Sequence, residues 1–199
     1  MNDDLQHSDE LEDVQYEAPA EEEQPVSFVR WIGELVVMVA LAFLLASGIR
    51  AYVIQPYVIP SGSMEPTIEI SDRVLANKFV YRFGEPERGD VVVLDDPTGT
   101  VQTLIKRVIA TGGETVDLVD GKVLIDGVAL DEPYTHGKES VPMTPEITFP
   151  YTVPEDSVWL MGDNRTNSAD SRVFGAVPLS EIRGQAICTF WPLDRMGTF

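Results

Sequence analysis

The sequence predicts a mostly β protein with one N-terminal transmembrane helix, and three observations carry that prediction. A single run, Leu35 to Ile49, has 15 residues and no charge. After Arg50 the chain breaks into short segments rich in Val, Ile, Leu, Tyr and Thr, separated by Gly, Asp, Asn and Pro. Two Asp-Gly pairs, Asp120-Gly121 and Asp126-Gly127, each sit between such segments, which is the signature of tight β-hairpins.

Residues 1 to 25 are polar and contain prolines. The first 24 hold ten acids and no Lys or Arg. They bury too little apolar surface to order themselves, so this stretch is expected to be a disordered acidic tail. Residues 26 to 50 follow as a membrane anchor. With Trp31, Ile32, Gly33 and the lone Glu34 added, the uncharged run reaches the length a bilayer requires. Trp31 and Tyr52 lie near its ends, where amphipathic rings prefer the interface. A cleaved signal peptide fits less well, because the leader is long and acidic and no small-x-small site follows promptly. A buried core helix is the other alternative, given only 15 uncharged residues. Arg30 and Arg50 flank the segment evenly, so charge alone leaves its orientation open.

Residues 51 to 199 form the third region. Val53 to Ile59 reads as an edge strand because Pro56 interrupts it. Asp72 to Tyr81 is a second strand candidate. Gly89-Asp90 turns into Val91 to Leu94, a short buried strand, and Thr103 to Ile109 makes another before Gly112-Gly113. Val116 to Val119 and Lys122 to Ile125 pair across Asp120-Gly121. Residues 130 to 154, with many Pro, Thr and Glu, read as a long surface loop. Val158 to Met161 leads into Gly162-Asp163-Asn164-Arg165, and Gly184 to Trp191 is the last strand.

Charge and composition exclude several functions. The net charge of −19 falls to −9 without the tail, 23 acids against 14 bases. An acidic balance argues against nucleic acid as a partner, since phosphate contacts need Lys and Arg. One cysteine, Cys188, cannot form an internal disulfide, and its apolar neighbours suggest a buried structural thiol. His7 lies in the tail and His136 in a polar loop, and no Cys/His ligand spacing occurs, so no metal or other cofactor is expected.

Three stretches could carry chemistry. Pro60-Ser61-Gly62-Ser63-Met64-Glu65-Pro66-Thr67 can be neither regular helix nor central strand, because Pro60 and Pro66 lack an N–H. Gly62 allows a sharp turn between two serines, where a hydroxyl and nearby backbone N–H groups could act as nucleophile and oxyanion site. An ordinary polar turn has the same composition. In an extended strand Lys106 shares a face with Leu104 and Val108, and such a setting favours the neutral amine, which can accept a serine proton. A charged edge-strand lysine is the plainer alternative. Met161 to Gly175 concentrates Asp, Asn, Ser and Arg between a strand and an apolar turn, suited either to a hydrogen-bonding scaffold or to a loop of Asx turns.

Taken together, these stretches resemble a known family. Pro60-Ser61-Gly62-Ser63-Met64, Arg88-Gly89-Asp90-Val91-Val92-Val93, Ile105-Lys106-Arg107-Val108 and Gly162-Asp163-Asn164-Arg165 through Asn167-Ser168-Ala169-Asp170-Ser171-Arg172 are similar to the successive sequence boxes of bacterial type I signal peptidases. The likeness runs from about residue 28 to 195, in the family's order and behind a membrane segment.

The resemblance implies a mostly antiparallel β-sheet catalytic domain whose apolar surface rests on the membrane. It implies a serine endopeptidase with a Ser/Lys dyad, Ser63 as nucleophile and Lys106 as general base. Ser61 would join the Ser63 N–H in the oxyanion hole, and Ser168 would orient the lysine. Asp163 with Arg107, and Asp170 with Arg172, would be supporting ion pairs. Tyr57, Ile59, Ile68, Leu104 and Ile105 would line shallow pockets for small side chains. The implied partners are preprotein signal peptides and the lipid bilayer. The implied placement is the cell membrane, single-pass, with the N-terminus cytoplasmic and the catalytic domain outside. Thr166, in a place often held by Asp or Asn, and Leu104, in one often aromatic, depart from the pattern. The short loop after Leu130 implies that the large extra domain of some members is absent.

Two other functions suit parts of the sequence. Self-cleaving SOS-type repressors use Ser and Lys on a related β fold, but they carry a DNA-binding region and lack a membrane segment. A non-enzymatic anchored β domain that binds a partner outside the membrane would make both dyad residues dispensable. A His-based triad is disfavoured by the position of His136 in the long loop.

Overall fold

The computed structural model describes residues 28–100 and 103–199, so the expected tail at 1–25 lies outside the described residues. The chain divides into two compact units, Met1–Ala42 and Phe43–Phe199.

Helix α1 spans Phe28–Tyr52. No proline interrupts it, and its stretch Phe28–Arg50 has a mean hydropathy of 2.3 with none of it buried. At about 1.5 Å per residue its 23 residues cover the roughly 30 Å of a bilayer core. An apolar surface exposed on all sides is unstable in water, which fits the anchor reading and not the core-helix alternative.

Twelve strands follow among the described residues. They are β1 (Ile54–Val58), β2 (Arg73–Asn77), β3 (Val91–Asp95), β4 (Thr103–Ala110), β5 (Thr115–Val119), β6 (Lys122–Ile125), β7 (Val128–Ala129), β8 (Tyr151–Thr152), β9 (Ser157–Met161), β10 (Val177–Pro178), β11 (Ile182–Trp191) and β12 (Gly197–Thr198). The large sheet runs β1-β2-β11-β3-β4-β9-β10 with β12 beside β11, and the small one runs β7-β6-β5-β8. Every strand pair among the described residues is antiparallel. The mostly β, antiparallel class is therefore observed.

Local chemistry explains the elements. Pro56 sits in β1, at the edge of the large sheet, where a missing N–H costs least. Asp120 and Gly121 take φ of 49° and 74°, the left-handed pair that a two-residue hairpin needs between β5 and β6. Strand β3 is apolar at consecutive positions because both its faces are covered. Val91 and Val93 join a core with Ile59, Met64, Ile68, Val74 and Ile105. Val92 and Leu94 join another with Val108, Leu160 and Val177. A third core gathers Ile109, Val116, Val123 and Trp159, and the small sheet contributes to it.

Several expectations need correction. The strand expected over Asp72 to Tyr81 stops at Asn77, whose Oδ1 accepts the Phe79 N–H at 2.8 Å before a 3-10 turn at Val80–Arg82. Residues 130 to 154 are more than a surface loop. They include β8 and a 3-10 turn at Pro133–Thr135, and they bury Thr135, Ser140 and Val153. Tyr134, Ile147, Phe149 and Tyr151 pack on the core around Trp159, anchoring contacts that show no sequence periodicity. The last long strand begins at Ile182, and Cys188 is half-buried because its side of β11 is only partly covered.

Candidate active site

The eight residues from Pro60 to Thr67 leave β1 as a series of turns. Two neighbours hold the turn from below: Met64 and Ile68 are fully buried, and the Ile68 N–H donates to the Met64 carbonyl at 3.0 Å. Gly62 does not adopt a positive φ. A Cβ there would meet the Glu65 carboxyl carbon at 2.8 Å, which is the far end of a side chain that can swing aside.

Strand β4 brings Lys106 to this turn. Its Nζ donates to Ser63 Oγ at 2.7 Å and to the Ile105 carbonyl at 2.9 Å. Ser63 is 8% exposed and Lys106 only 2%. Burial pushes the Lys106 amine down from 10.5 to about 8, with Asp170, Asp163 and Asp96 partly opposing the shift. A lysine that is neutral in a useful fraction near pH 8 can exchange a proton with a serine hydroxyl at hydrogen-bond distance.

Buried ion pairs surround these two residues. Asp163 grips Arg107 with both oxygens, at 2.9 and 2.8 Å, and also accepts from Thr67 Oγ1 at 2.6 Å. One carboxylate thus joins the serine turn to the lysine strand. Arg107 also stacks on Tyr134, its guanidinium carbon 4.2 Å from the ring centre. Asp170 holds Arg172 at 2.9 Å through each oxygen, accepts the Gly162 N–H at 3.1 Å and caps the short helix α2, Ser171–Phe174. Arg165 pairs with Glu132, a residue of the long loop, at 3.0 and 2.6 Å. It also reaches Ser140 and the Gly162 carbonyl.

Ser168 is buried beside Gly162, but its Oγ has no hydrogen-bond partner among the described residues. It does not contact the lysine by a hydrogen bond, as the resemblance implied. Lys106 is instead oriented by Ser63 and by the Ile105 carbonyl.

A cleft of about 720 Å³ opens over Ser63 and Lys106. Tyr57, Ile59, Leu104 and Ile105 line it, with Ser61 at its rim. Ile68 does not: it is fully buried beneath the serine turn, because the turn directs it into the core with Met64. Sequence reasoning missed Val58, Asp96, Thr98, Asn167, Ala169 and Phe174 in the cleft wall. It also missed the supporting parts played by Thr67, Glu132, Tyr134, Asn164 and Arg165. Asn164, Arg165, Asn167 and Ala169 carried a signal as members of the quoted fourth box, and Thr67 and Phe174 as members of stretches singled out for chemistry. Thr166, one of the departures noted above, is exposed, and its hydroxyl meets Asn164 Oδ1 at 3.5 Å.

The model of the family described as signal peptidase, peptidase S26, matches residues 32–191. The chain belongs to the signal peptidase family, peptidase S26. A signal peptidase I of Leptolyngbya laminosa is 41% identical over 167 residues, covering 80% of this chain and 79% of that one. A probable signal peptidase I-2 of Synechocystis sp. is 39% identical, covering 84% of this chain and 76% of that one. A crystal structure of a signal peptidase I from Enterococcus faecalis is 33% identical and has a TM-score of 0.45, covering 51% of this chain and 97% of that one. Membership in the signal peptidase family agrees with the resemblance read from the four sequence boxes.

Proposed function

We propose that this signal peptidase family member cuts exported preproteins after a small residue of an Ala-x-Ala type site, through a Ser63/Lys106 dyad and an acyl-enzyme. The chain is a membrane-bound serine endopeptidase, a hydrolase that removes N-terminal signal peptides. The observation that carries the dyad is the 2.7 Å separation of Lys106 Nζ and Ser63 Oγ, both buried at the floor of a cleft.

The chemistry follows from that placement. With the amine neutral, the hydroxyl donates across the same contact, and Ser63 Oγ attacks the scissile carbonyl as its proton passes to Lys106. The oxyanion takes hydrogen bonds from the Ser63 N–H and the Ser61 hydroxyl. Collapse breaks the C–N bond, and the Lys106 ammonium returns the proton to the leaving amine. Water, deprotonated by the neutral lysine, then hydrolyses the ester. Tyr57, Ile59, Leu104 and Ile105 shape the pockets that admit small side chains. Arg107 with Asp163 and Arg172 with Asp170 hold the two halves of the site in register.

Residues 26–50 anchor the chain by a single pass, and residues 51–199 form the peptidase domain outside the cell membrane. The tail at 1–25 stays in the cytoplasm. Anchoring places the site beside a substrate whose own apolar segment lies in the bilayer.

The test is cleavage of a preprotein with an Ala-x-Ala site, in detergent or lipid, by wild type, Ser63→Ala and Lys106→Ala. Cleavage by wild type alone supports the dyad. Equal cleavage by all three rejects it, and no cleavage by any favours a non-enzymatic binding domain.

A further inference from the structure

Asn164 holds both peptide groups that flank the nucleophile. Its Nδ2 donates to the Gly62 carbonyl at 2.8 Å, and its backbone N–H donates to the Ser63 carbonyl at 3.1 Å. The Gly62 oxygen also accepts the Glu65 N–H at 3.2 Å. Asn164 is 5% exposed; its Nδ2 also donates, at the longer distance of 3.4 Å, to Glu65 Oε2, and its Oδ1 also accepts from Thr166 Oγ1 at 3.5 Å. Lys138 then reaches in from the long loop, and its Nζ donates to Asn164 Oδ1 at 2.8 Å.

The Gly62 carbonyl belongs to the same peptide unit as the Ser63 N–H. That bond is not among the cis peptides, so it is trans, and in a planar trans unit the C=O and N–H point in opposite directions. Gripping the oxygen from beneath therefore aims the Ser63 N–H away from Asn164. A carbonyl that accepts hydrogen bonds also makes its own N–H a stronger donor, and a charged ammonium at the far end of the chain adds to that polarisation. Lys138 has a second effect. An ammonium only donates, so it requires the oxygen of the Asn164 amide to face it, which leaves the nitrogen facing Gly62.

We propose that Asn164 is a positioning residue for the oxyanion site, and that Lys138 orients it through the relay Lys138, Asn164, Gly62 carbonyl, Ser63 N–H. This rests on the dyad reading above. The relay acts on the transition state only, because the negative oxygen that uses the Ser63 N–H exists only there. Asn164 touches no reacting atom.

The experiment uses the full chain in detergent micelles, a preprotein substrate, and a peptide aldehyde whose tetrahedral adduct carries the same oxyanion. Asn164→Asp keeps the shape and the Lys138 contact but replaces the donor with an acceptor. It should lower kcat by about 10- to 100-fold, less than the roughly 10²- to 10³-fold of losing an oxyanion donor outright. KM should stay constant and aldehyde affinity should fall in step with kcat. Lys138→Met should lower kcat about 3- to 10-fold, with Lys138→Arg restoring it. Because Lys138 is only partly buried, its variants test the relay even if Asn164→Asp fails to fold. Wild-type kcat in Lys138→Met, or a loss confined to KM, overturns the proposal. If wild type cleaves no faster than Ser63→Ala, the dyad reading fails and the relay fails with it.

Discussion

Gly162 lies so close to the Ser63 carbonyl oxygen that no side chain fits between them. A Cβ at position 162 would collide with that oxygen and with Ser168. The Ser63 carbonyl is main chain and is already held by Asn164, so it cannot rotate aside as a side chain would.

Gly162→Ala should therefore displace the nucleophile. A shift of about 1 Å in reacting atoms can cost on the order of 10²-fold in rate. We expect preprotein cleavage to fall by about that factor or more, measured beside the thermal midpoint to separate misplacement from unfolding. Activity within twofold of wild type would mean that the turn yields without consequence.

The pH profile should carry the signature of Lys106. Its amine sits at about 8, so kcat/KM should rise with pH through that value and level off above it. Folding stability carries the same mark. Between about 8 and 10.5 the unfolded chain keeps the Lys106 proton and the folded chain releases it, so this residue's contribution to stability rises with pH across that window. Below 8 the full burden of the buried ammonium remains, about 3 kcal/mol at one pH unit per 1.36 kcal/mol. Lys106→Met should be more stable than wild type at pH 7, and the gap should narrow toward pH 10 in urea titrations. A gap independent of pH would contradict the depressed amine.

Asp170 and Arg172 are both fully buried, and Asp170→Asn would leave the guanidinium without its countercharge. Breaking a buried pair from one side typically costs about 3–5 kcal/mol. We expect a loss of that order in chemical denaturation. Asp170 also opposes the depression of the Lys106 amine, so its removal should move the rising limb of the pH profile to lower pH. A rate profile unmoved in a folded variant would show that the two sites are electrostatically independent.

For the anchor, Leu41→Lys together with Leu44→Lys places two charges near the middle of α1. Each lysine at a bilayer centre costs roughly 2.5–3.5 kcal/mol. The double variant should leave the membrane fraction, while wild type floats with vesicles. Equal flotation would mean that α1 is not what holds the chain to lipid.

How far the sequence could be read depended on how local each cause was. The edge strand at Pro56, the Asp120-Gly121 hairpin and the two-faced strand Val91 to Leu94 follow from φ preferences, missing N–H groups and apolar runs, all of which act within a few residues. The serine turn, the lysine strand and the Gly-Asp-Asn-Arg run were legible as separate boxes. Their convergence was not, because Ser63 and Lys106 are 43 positions apart and Thr67 and Asp163 are 96 apart. The long loop was misread for the same reason. Glu132, Tyr134 and Lys138 look like solvated residues until Arg165, Arg107 and Asn164 supply their partners. The resemblance implied Ile68 as a pocket residue, yet the turn delivers it to the core.

The sequence by itself determined the apolar anchor helix, the β class, the hairpins and the residue types available for chemistry, since periodicity, turn propensity and hydropathy are properties of short stretches. Only the tertiary structure decided which hydroxyl meets which amine, how far that amine is dehydrated, and which carboxylate answers each buried arginine. Distance and burial depend on every strand that closes around a site, and no short stretch of chain contains that information.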